Sequence, residues 1–483
     1  VSVLVLDLGS SSIRAALAST DRVLASVQRP IAVNRPFPGL VELDAEQVAS
    51  AALSAAREVA AQADDPVAAV GIATQRASCL LWRRDTGKPV GPVLSWQDLR
   101  TVGACIQARA EGTLVAPSHS ATKWAWLLEQ ATSEGAPADQ LCAGTLDSWL
   151  AWTLTNGALH VTDPSNASLT GLLEPGSTTW SQSRLGALGL PESILPTIVD
   201  SIGRLPAPTT LPGSPPIAAL LGDQQASLLG QGGVVPGRAK ATFGTGAMLD
   251  VFVGPSSPTS EERTPTGAIA VVAWSHAGQA SFALEAVMLS AGSAVDWLVE
   301  DLGILNSAEE SAAVASQVAD TAGAWFVPAL AGMGTPAWDY GAQGIFLGLS
   351  GASRRPHLVR AVLVGLAERG ADLLEAVEPD AGAPIETLRI DGGVASNPVF
   401  CQALADAIGR RVEVSPEREA TALGAGRAAE LALDELASPS DLADLPHGGP
   451  VFEPSGADPE RARWLEARER ALRQLPELSA LAL

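Results

Sequence analysis

The sequence predicts an α/β protein of two large domains, and three observations predict it. The chain has 483 residues, more than one hydrophobic core ordinarily serves. Short apolar runs alternate with stretches of helical spacing, the pattern of strands crossed over by helices. A strand–turn–strand pattern with small residues at the turn occurs twice, at Leu6-Asp7-Leu8-Gly9-Ser10-Ser11 and at Phe243-Gly244-Thr245-Gly246. The two copies lie near the starts of the two halves, so two domains with matching turns would face a shared cleft. The expected divisions are 1–232, 233–435 and a C-terminal tail with a helix, 436–483.

In chain order, Val1 to Gly9 reads as a strand feeding a turn. Asp44 to Ala63 reads as a helix, with Asp44 as N-cap and Gln47 three residues on completing a capping box. Val67 to Thr74 is a buried strand that places Gln75-Arg76 at its carboxyl end, where open α/β sheets bind ligands. Val93 to Ser95 leads into Trp96-Gln97-Asp98, and Lys123 to Gln130 is a helix with Trp124, Leu127 and Leu128 on its apolar face. The proline-rich segment Pro206 to Pro216 is a surface connection before a second α/β region. There Ala239 to Val253 carries strand–Gly-Thr-Gly–strand. Helices are expected at about Phe282 to Leu298 and His357 to Val377. Leu388 to Asp391 is a strand, Gly392 to Asn397 a loop, and Pro398 to Ile408 a helix with proline in its first turn. Glu419 to Leu433 and a charged segment, Pro459 to Gln474, complete the helices.

Composition narrows the function. The net charge of -22 repels nucleic acid and anionic lipid. Four cysteines, Cys79, Cys105, Cys142 and Cys401, form no CxxC pair and suit reduced thiols in the cytoplasm. The five histidines show no zinc spacing. Asp7 and Arg14 within the first twenty residues argue against a secretory signal. The uncharged stretch Thr321 to Trp338 contains Pro328 and Pro336, so it reads as a strand and loop rather than a membrane span.

Several loops suit phosphate. Gly9-Ser10-Ser11-Ser12 offers backbone N–H groups and hydroxyls, with Arg14 two residues on for a charge-assisted contact. Asp7 stands where a carboxylate would hold Mg²⁺ through water. Gly244-Thr245-Gly246 and Asp391-Gly392-Gly393 are similar turns, and each taken alone also suits an ordinary hairpin. Gly424-Ala425-Gly426-Arg427-Ala428-Ala429 matches GxGxxA but lies within helix-forming sequence, so close helix packing accounts for it. GxxxxGK[ST] is absent, which excludes a P-loop enzyme. Asn166-Ala167-Ser168 is a sequon without a secretory context.

Taken in order, these segments resemble the FGGY family of carbohydrate kinases. The resemblance is carried by Gly71-Ile-Ala-Thr-Gln-Arg76, Thr86-Gly-Lys-Pro89, Trp96-Gln-Asp98, the run Ser118 to Gln130, Gly222-Asp-Gln-Gln225, Phe326-Val-Pro-Ala329 and Asp391-Gly-Gly. It implies two actin- and hexokinase-like (ribonuclease H-like) domains around a central cleft. It also implies ATP and Mg²⁺ as cofactors, a small sugar or polyol as substrate, and room for a homodimer. By resemblance Asp223 is the catalytic base and, with Asp7, a metal carboxylate. Ser10, Ser11, Arg14, Gly244, Thr245, Gly292, Gly393 and Asn397 are nucleotide positions. Gln75, Arg76, Trp96, Ser118 and Gln224 are substrate contacts, although Trp96 also suits core packing.

The sequence departs from the glycerol kinase branch at Ala77, where Glu is usual, and at Ser118 and Met248, where aromatic residues are. Asp296 replaces a Gln near the nucleotide, and Val364 stands where an acidic or amide residue is expected. The Met-His-Gly pattern of xylulose kinases is missing too. These departures predict a four- or five-carbon polyol or ketose, such as xylulose, in preference to glycerol. The alternatives are a glycerol kinase with a modified pocket and a non-catalytic actin-like nucleotide-binding protein.

Overall fold

The computed structural model describes residues 2–416, 419–434, 438–444, 448–457 and 460–479. Two large sheets dominate it. The first orders its strands Ile217–Gly222, Ala69–Thr74, Val3–Leu8, Ser12–Ala18, Val23–Pro30. Val3–Leu8 pairs antiparallel with Ser12–Ala18 on one side and parallel with Ala69–Thr74 on the other. The second sheet runs Ile269–His276, Gln279–Met288, Ala247–Gly254, Ala239–Phe243, Thr387–Asp391, Arg411–Val414, Val451–Phe452. Ala239–Phe243 likewise has an antiparallel hairpin partner, Ala247–Gly254, and a parallel neighbour, Thr387–Asp391. Three antiparallel strands followed by two parallel ones therefore occur in both halves, and the echo seen in the two turns extends to the sheets that carry them.

Packing explains why these segments are so apolar. Val3–Leu8 has the helix Ala45–Ala60 and the helix Ala420–Ala432 packed against it, so every residue but Asp7 is buried. Helix Ala420–Ala432 comes from the second half and seats on the first sheet. Gly71 meets the Ala425 carbonyl and Gly424 the Ala226 carbonyl so closely that a Cβ at either glycine would collide. Close packing is thus the role of Gly424-Ala425-Gly426.

Most expected elements are present, among them Ala121–Ser133, Arg355–Val377, Thr387–Asp391 and Pro398–Ile408. Two expectations need correction. Asp44 caps its helix by accepting from the Glu46 and Gln47 N–H groups, but the Gln47 side chain accepts from the Ala32 N–H at 3.1 Å, so no capping box forms. The expected helix from Phe282 to Leu298 is instead the end of strand Gln279–Met288 and then helix Gly292–Glu300. Phe282–Met288 lies between two strand neighbours with every residue buried, and such a run has no period to separate strand from helix.

The stretch 321–338 holds the short buried strand Trp325–Val327 and a loop, and no helix among the described residues is long and apolar enough to cross a membrane. All four cysteines are buried and free. Asn166 is also buried, its amide donating to Asp163 Oδ1 at 2.8 Å, so the sequon is inaccessible. Pro459 lies outside the described residues, and the charged helix spans Arg461–Ala471. Its charges dock it: Arg461 and Arg468 reach the buried Asp372 at 2.5 and 2.8 Å, and Trp464 Nε1 donates to the same carboxylate at 3.2 Å.

Candidate active site

The parallel strands of the first sheet bring the expected site residues to their carboxyl ends. Gln75-Arg76 follows Ala69–Thr74, and Asp223 opens the helix Asp223–Gly230 directly after Ile217–Gly222. Asp223 Oδ1 accepts from the Gln224 backbone N–H at 2.8 Å and faces Arg76 Nε at 3.6 Å. Among the described residues Oδ2 has no hydrogen-bond partner, and the side chain keeps 26% exposure. Burial raises its pKa above the ordinary carboxylate range, against the opposing pull of Arg76 and Lys240.

Behind Asp223 lies a buried set of charges. Arg76 Nη1 meets Glu285 Oε2 at 2.6 Å, which ties the first half to strand Gln279–Met288 of the second. Lys240, Asp250 and Glu285 are directly opposite one another on three adjacent strands. Lys240 Nζ reaches Asp250 Oδ2 at 2.8 Å, Gln224 Oε1 at 2.6 Å and Thr242 Oγ1 at 3.2 Å. Met248 lies two residues from Asp250, on the same face and nearer the turn.

The first turn, Gly9 to Ser11, is closed by the Gly9 N–H donating to the Ser12 carbonyl at 2.9 Å, and it leaves Ser10 and Ser11 exposed. Asp7 and Arg14 are cross-strand partners at 3.6 Å, and Arg14 Nε also faces Glu419 at 3.2 Å. Burial above all, with Asp223 and Glu419 nearby, pushes Asp7 up to about 7 despite Arg14. Trp96 is half-buried, its indole Nε1 3.5 Å from Ser10 Oγ, so it borders the first turn rather than filling the core. Ser118 is exposed; Lys123, buried, reaches the carbonyls of Trp96 and Ser118 at 3.3 and 3.5 Å and holds the two segments together.

The second turn leaves Thr245 exposed and is latched to helix Gly292–Glu300. The Gly292 N–H donates to the Gly244 carbonyl at 2.7 Å, and the Ala291 and Ser293 N–H groups donate to the Thr245 carbonyl at 2.8 and 3.1 Å. Gly393 is exposed beside the turn at Asp391, with open space where a Cβ would stand. Asp391 is joined to the base-bearing helix by Gln231 Nε2 at 2.8 Å.

Two expected ligand contacts are committed elsewhere. Gln75, 2% exposed, donates to the Gly9 carbonyl at 3.1 Å and accepts from Ser78 Oγ at 3.2 Å, so its side chain braces the first turn. Asn397 caps helix Pro398–Ile408 with its Oδ1 and donates from Nδ2 to Ser311 Oγ at 2.9 Å. Sequence reasoning passed over Lys240, Asp250, Glu285 and Lys123. Their signal was present, a charge inside an otherwise apolar segment such as Met248-Leu-Asp-Val-Phe252.

Comparison with known proteins decides the family. The FGGY carbohydrate kinase N-terminal domain model matches residues 2–230, and the C-terminal domain model matches 239–433. The chain belongs to the FGGY family of carbohydrate kinases. It is 39% identical to a glycerol kinase of Halorhodospira halophila, over 98% of this chain and 96% of that protein. It is 40% identical to a glycerol kinase of Thermus brockianus, over 92% of each. In structure it is similar to Plasmodium falciparum glycerol kinase with ADP, at TM-score 0.87 and 26% identity, covering 98% of this chain and 99% of that one. It is also similar to a xylulose kinase of Brucella ovis, at TM-score 0.85 and 25% identity over the whole of both chains.

This FGGY kinase is therefore a two-domain, actin-like ATP-dependent phosphotransferase with an alcohol acceptor. The named relatives favour a glycerol kinase with a modified pocket over the expected preference for a four- or five-carbon acceptor.

Proposed function

We propose that this enzyme transfers the γ-phosphoryl group of ATP to a hydroxyl of glycerol, with Asp223 as general base. The reading is carried by Asp223 itself, a carboxylate at a strand end with one oxygen held and the other open to the cleft. It is supported by full-length likeness to glycerol kinases. The acceptor lies among Arg76, Trp96, Ser118 and Gln224, and the hydroxyl proton passes to Asp223 Oδ2. Arg76, fixed by Glu285, keeps Asp223 from turning. The turns at Ser10-Ser11 and Gly244-Thr245 supply N–H and hydroxyl donors to phosphate oxygens, Arg14 adds charge, and Gly292 and Gly393 let the nucleotide approach the backbone.

Asp7 and Asp223 fit a magnesium ion. Asp7 lies crowded by two other carboxylates, and a cation there would relieve the repulsion. Magnesium keeps waters and phosphate oxygens in its shell, so few protein carboxylates are needed to hold it. When bound, Mg²⁺ neutralises phosphate charge. In this reading 1–232 carries the base and most acceptor contacts, 233–435 the nucleotide, and within 436–483 the helix Arg461–Ala471 docks on the second domain. Four buried free thiols suit the cytoplasm.

A second reading rests on Ala77, Ser118 and Met248, which stand where the resembled glycerol kinases carry a carboxylate and aromatic residues. A coupled ADP-release assay with glycerol, erythritol, ribitol and xylulose separates the two. Highest kcat/KM on glycerol is expected, and a higher value on any longer acceptor overturns the glycerol assignment.

A further inference from the structure

We propose that Lys240, anchored by Asp250, fixes the side-chain amide of Gln224 so that it can only donate to the acceptor alcohol, which leaves Asp223 as the proton acceptor facing that alcohol and makes Lys240 a positioning residue for the transfer. The proposal rests on the kinase reading above and goes beyond it.

Lys240 Nζ carries three donors and no lone pair. Whatever lies 2.6 Å from it on Gln224 must be the carbonyl oxygen, independently of how the amide is drawn. Thr242 Oγ1 accepts a second N–H at 3.2 Å, and Asp250 Oδ2 stands 2.8 Å away as the ion-pair partner. At 1% exposure the ammonium has no water to exchange with. Asp250, 2% exposed, is its charge partner; without it Lys240 would be a buried unpaired cation.

The consequence falls on Gln224, which is half-exposed at the start of the base-bearing helix. With Oε1 held, Nε2 and its two hydrogens are the end left for a ligand, and Nε2 has no partner among the described residues. A freely turning glutamine could accept a hydroxyl proton and hold the alcohol in an unproductive pose. A fixed donor excludes that pose: the alcohol oxygen accepts from Gln224 and its proton is directed to Asp223 Oδ2. Lys240 and Asp250 belong to strands of the second sheet while Gln224 and Asp223 follow a strand of the first. The polarity of the acceptor site therefore depends on the two halves meeting in register.

The test removes the device without leaving a buried charge. Lys240→Met with Asp250→Leu deletes both partners of the ion pair, and both replacements are apolar. The best acceptor of the panel is used, with unfolding temperature followed in parallel. The double variant is expected to fold and to keep its KM for ATP, while kcat/KM for the acceptor falls roughly ten- to a hundredfold, the scale of a lost hydrogen bond to a charged group. In a Gln224→Leu background the same pair of changes should add nothing further. A purely structural ion pair predicts the opposite: a folded double variant with acceptor kcat/KM within threefold of wild type overturns the proposal, as do losses that multiply in the Gln224→Leu background.

A second measurement leaves the buried pair intact. In Gln224→Glu, Lys240 retains one carboxylate oxygen and the other presents an acceptor where the wild type presents a donor. It should bind the alcohol more weakly than Gln224→Leu; a smaller loss in Gln224→Glu than in Gln224→Leu overturns the proposal. A higher kcat/KM of wild type on an acceptor other than glycerol would sink the glycerol assignment alone, and no turnover with any acceptor would sink both.

Discussion

Asp223→Asn isolates the base from everything that holds it. The asparagine oxygen can keep the Gln224 N–H at the 2.8 Å now made by Oδ1, and Arg76 keeps Glu285 at 2.6 Å, so the cleft has no reason to rearrange. What changes is the open end, where an oxygen able to take a proton becomes an NH₂ group that cannot. A general base contributes ~10²–10⁴ in rate, or about 3–5 kcal/mol of barrier, and turnover should fall by that factor while ATP affinity stays nearly unchanged.

Stability moves the other way. Burial raises the pKa of Asp223 in the folded protein, so the folded state favours the protonated form. That contribution is complete below the ordinary carboxylate pKa of about 3.9 and is lost as pH rises through the raised value. At neutral pH the ionised side chain is a cost that asparagine does not carry, so the unfolding temperature should hold or rise. The assay is coupled ADP release at saturating ATP and acceptor, with nucleotide binding and thermal unfolding measured on the same preparations. A folded variant that turns over within threefold of wild type refutes the assignment of the base.

Three further outcomes are expected. Lys123, wholly buried, is pushed down to about 8 chiefly by loss of water. Its charge therefore costs the folded state up to about 3 kcal/mol below pH 8, a cost that fades by the ordinary lysine pKa of about 10.4. Lys123→Met should be more stable than wild type in denaturant at pH 7 but not at pH 10.5, and less active because Trp96 and Ser118 lose their tie; equal stability at pH 7 would show that the cost is absent. Gly292→Ala puts a Cβ 2.6 Å from the Gly244 carbonyl oxygen, so steady-state kinetics should show a several-fold higher KM for ATP with the acceptor KM unchanged, and an unaltered ATP KM argues against the latch. Ala77→Glu with Ser118→Tyr should raise glycerol preference over xylulose by roughly ten- to a hundredfold, the scale of a charged hydrogen bond, and no change in the ratio of kcat/KM values would exclude these positions from acceptor selection.

What could be read from the sequence followed from local signals. Asp223, the two turns and helix Pro398–Ile408 are marked by residues whose neighbours in sequence are also their neighbours in space: a glycine at the turn, an asparagine before a proline, a carboxylate ending an apolar strand. The packing role of Gly424-Ala425-Gly426 was legible for the same reason. The strand Gln279–Met288 was not, because a run buried on both faces has lost the alternation that betrays a strand. The partners of Gln75 and Asn397 were hidden for a different reason. An amide has the same composition whether it meets a substrate or a carbonyl, and only the fold brings Gly9 to Gln75 or Ser311 to Asn397. Lys240, Asp250 and Glu285 were visible one by one as charges within apolar strands, but their meaning lies in the register that sets them side by side.

That register also shows how one repeated scaffold came to do two jobs. Counting back from each turn, Asp7 in the first half corresponds to Thr242 in the second, and their cross-strand partners, Arg14 and Met248, correspond as well. The first half thus carries an ion pair beside its turn where the second carries a hydroxyl and a thioether. The last parallel strand of the first sheet is followed by Asp223, whereas its counterpart Arg411–Val414 is followed by Ser415. Asp223 and Asp7, the proposed base and metal carboxylate, both belong to the first half. The second half keeps Asp391 opposite Thr242, held by Gln231 at 2.8 Å, and sets Lys240 and Asp250 two residues further from the turn, buried, with Lys240 reaching across to Gln224. Two copies of one turn can each face phosphate, but a single alcohol needs only one base, and a second carboxylate level with Asp223 would compete for its proton. Holding Asp391 with Gln231, setting Lys240 and Asp250 back, and joining the halves through Gln224 and Arg76 keep those groups out of that competition.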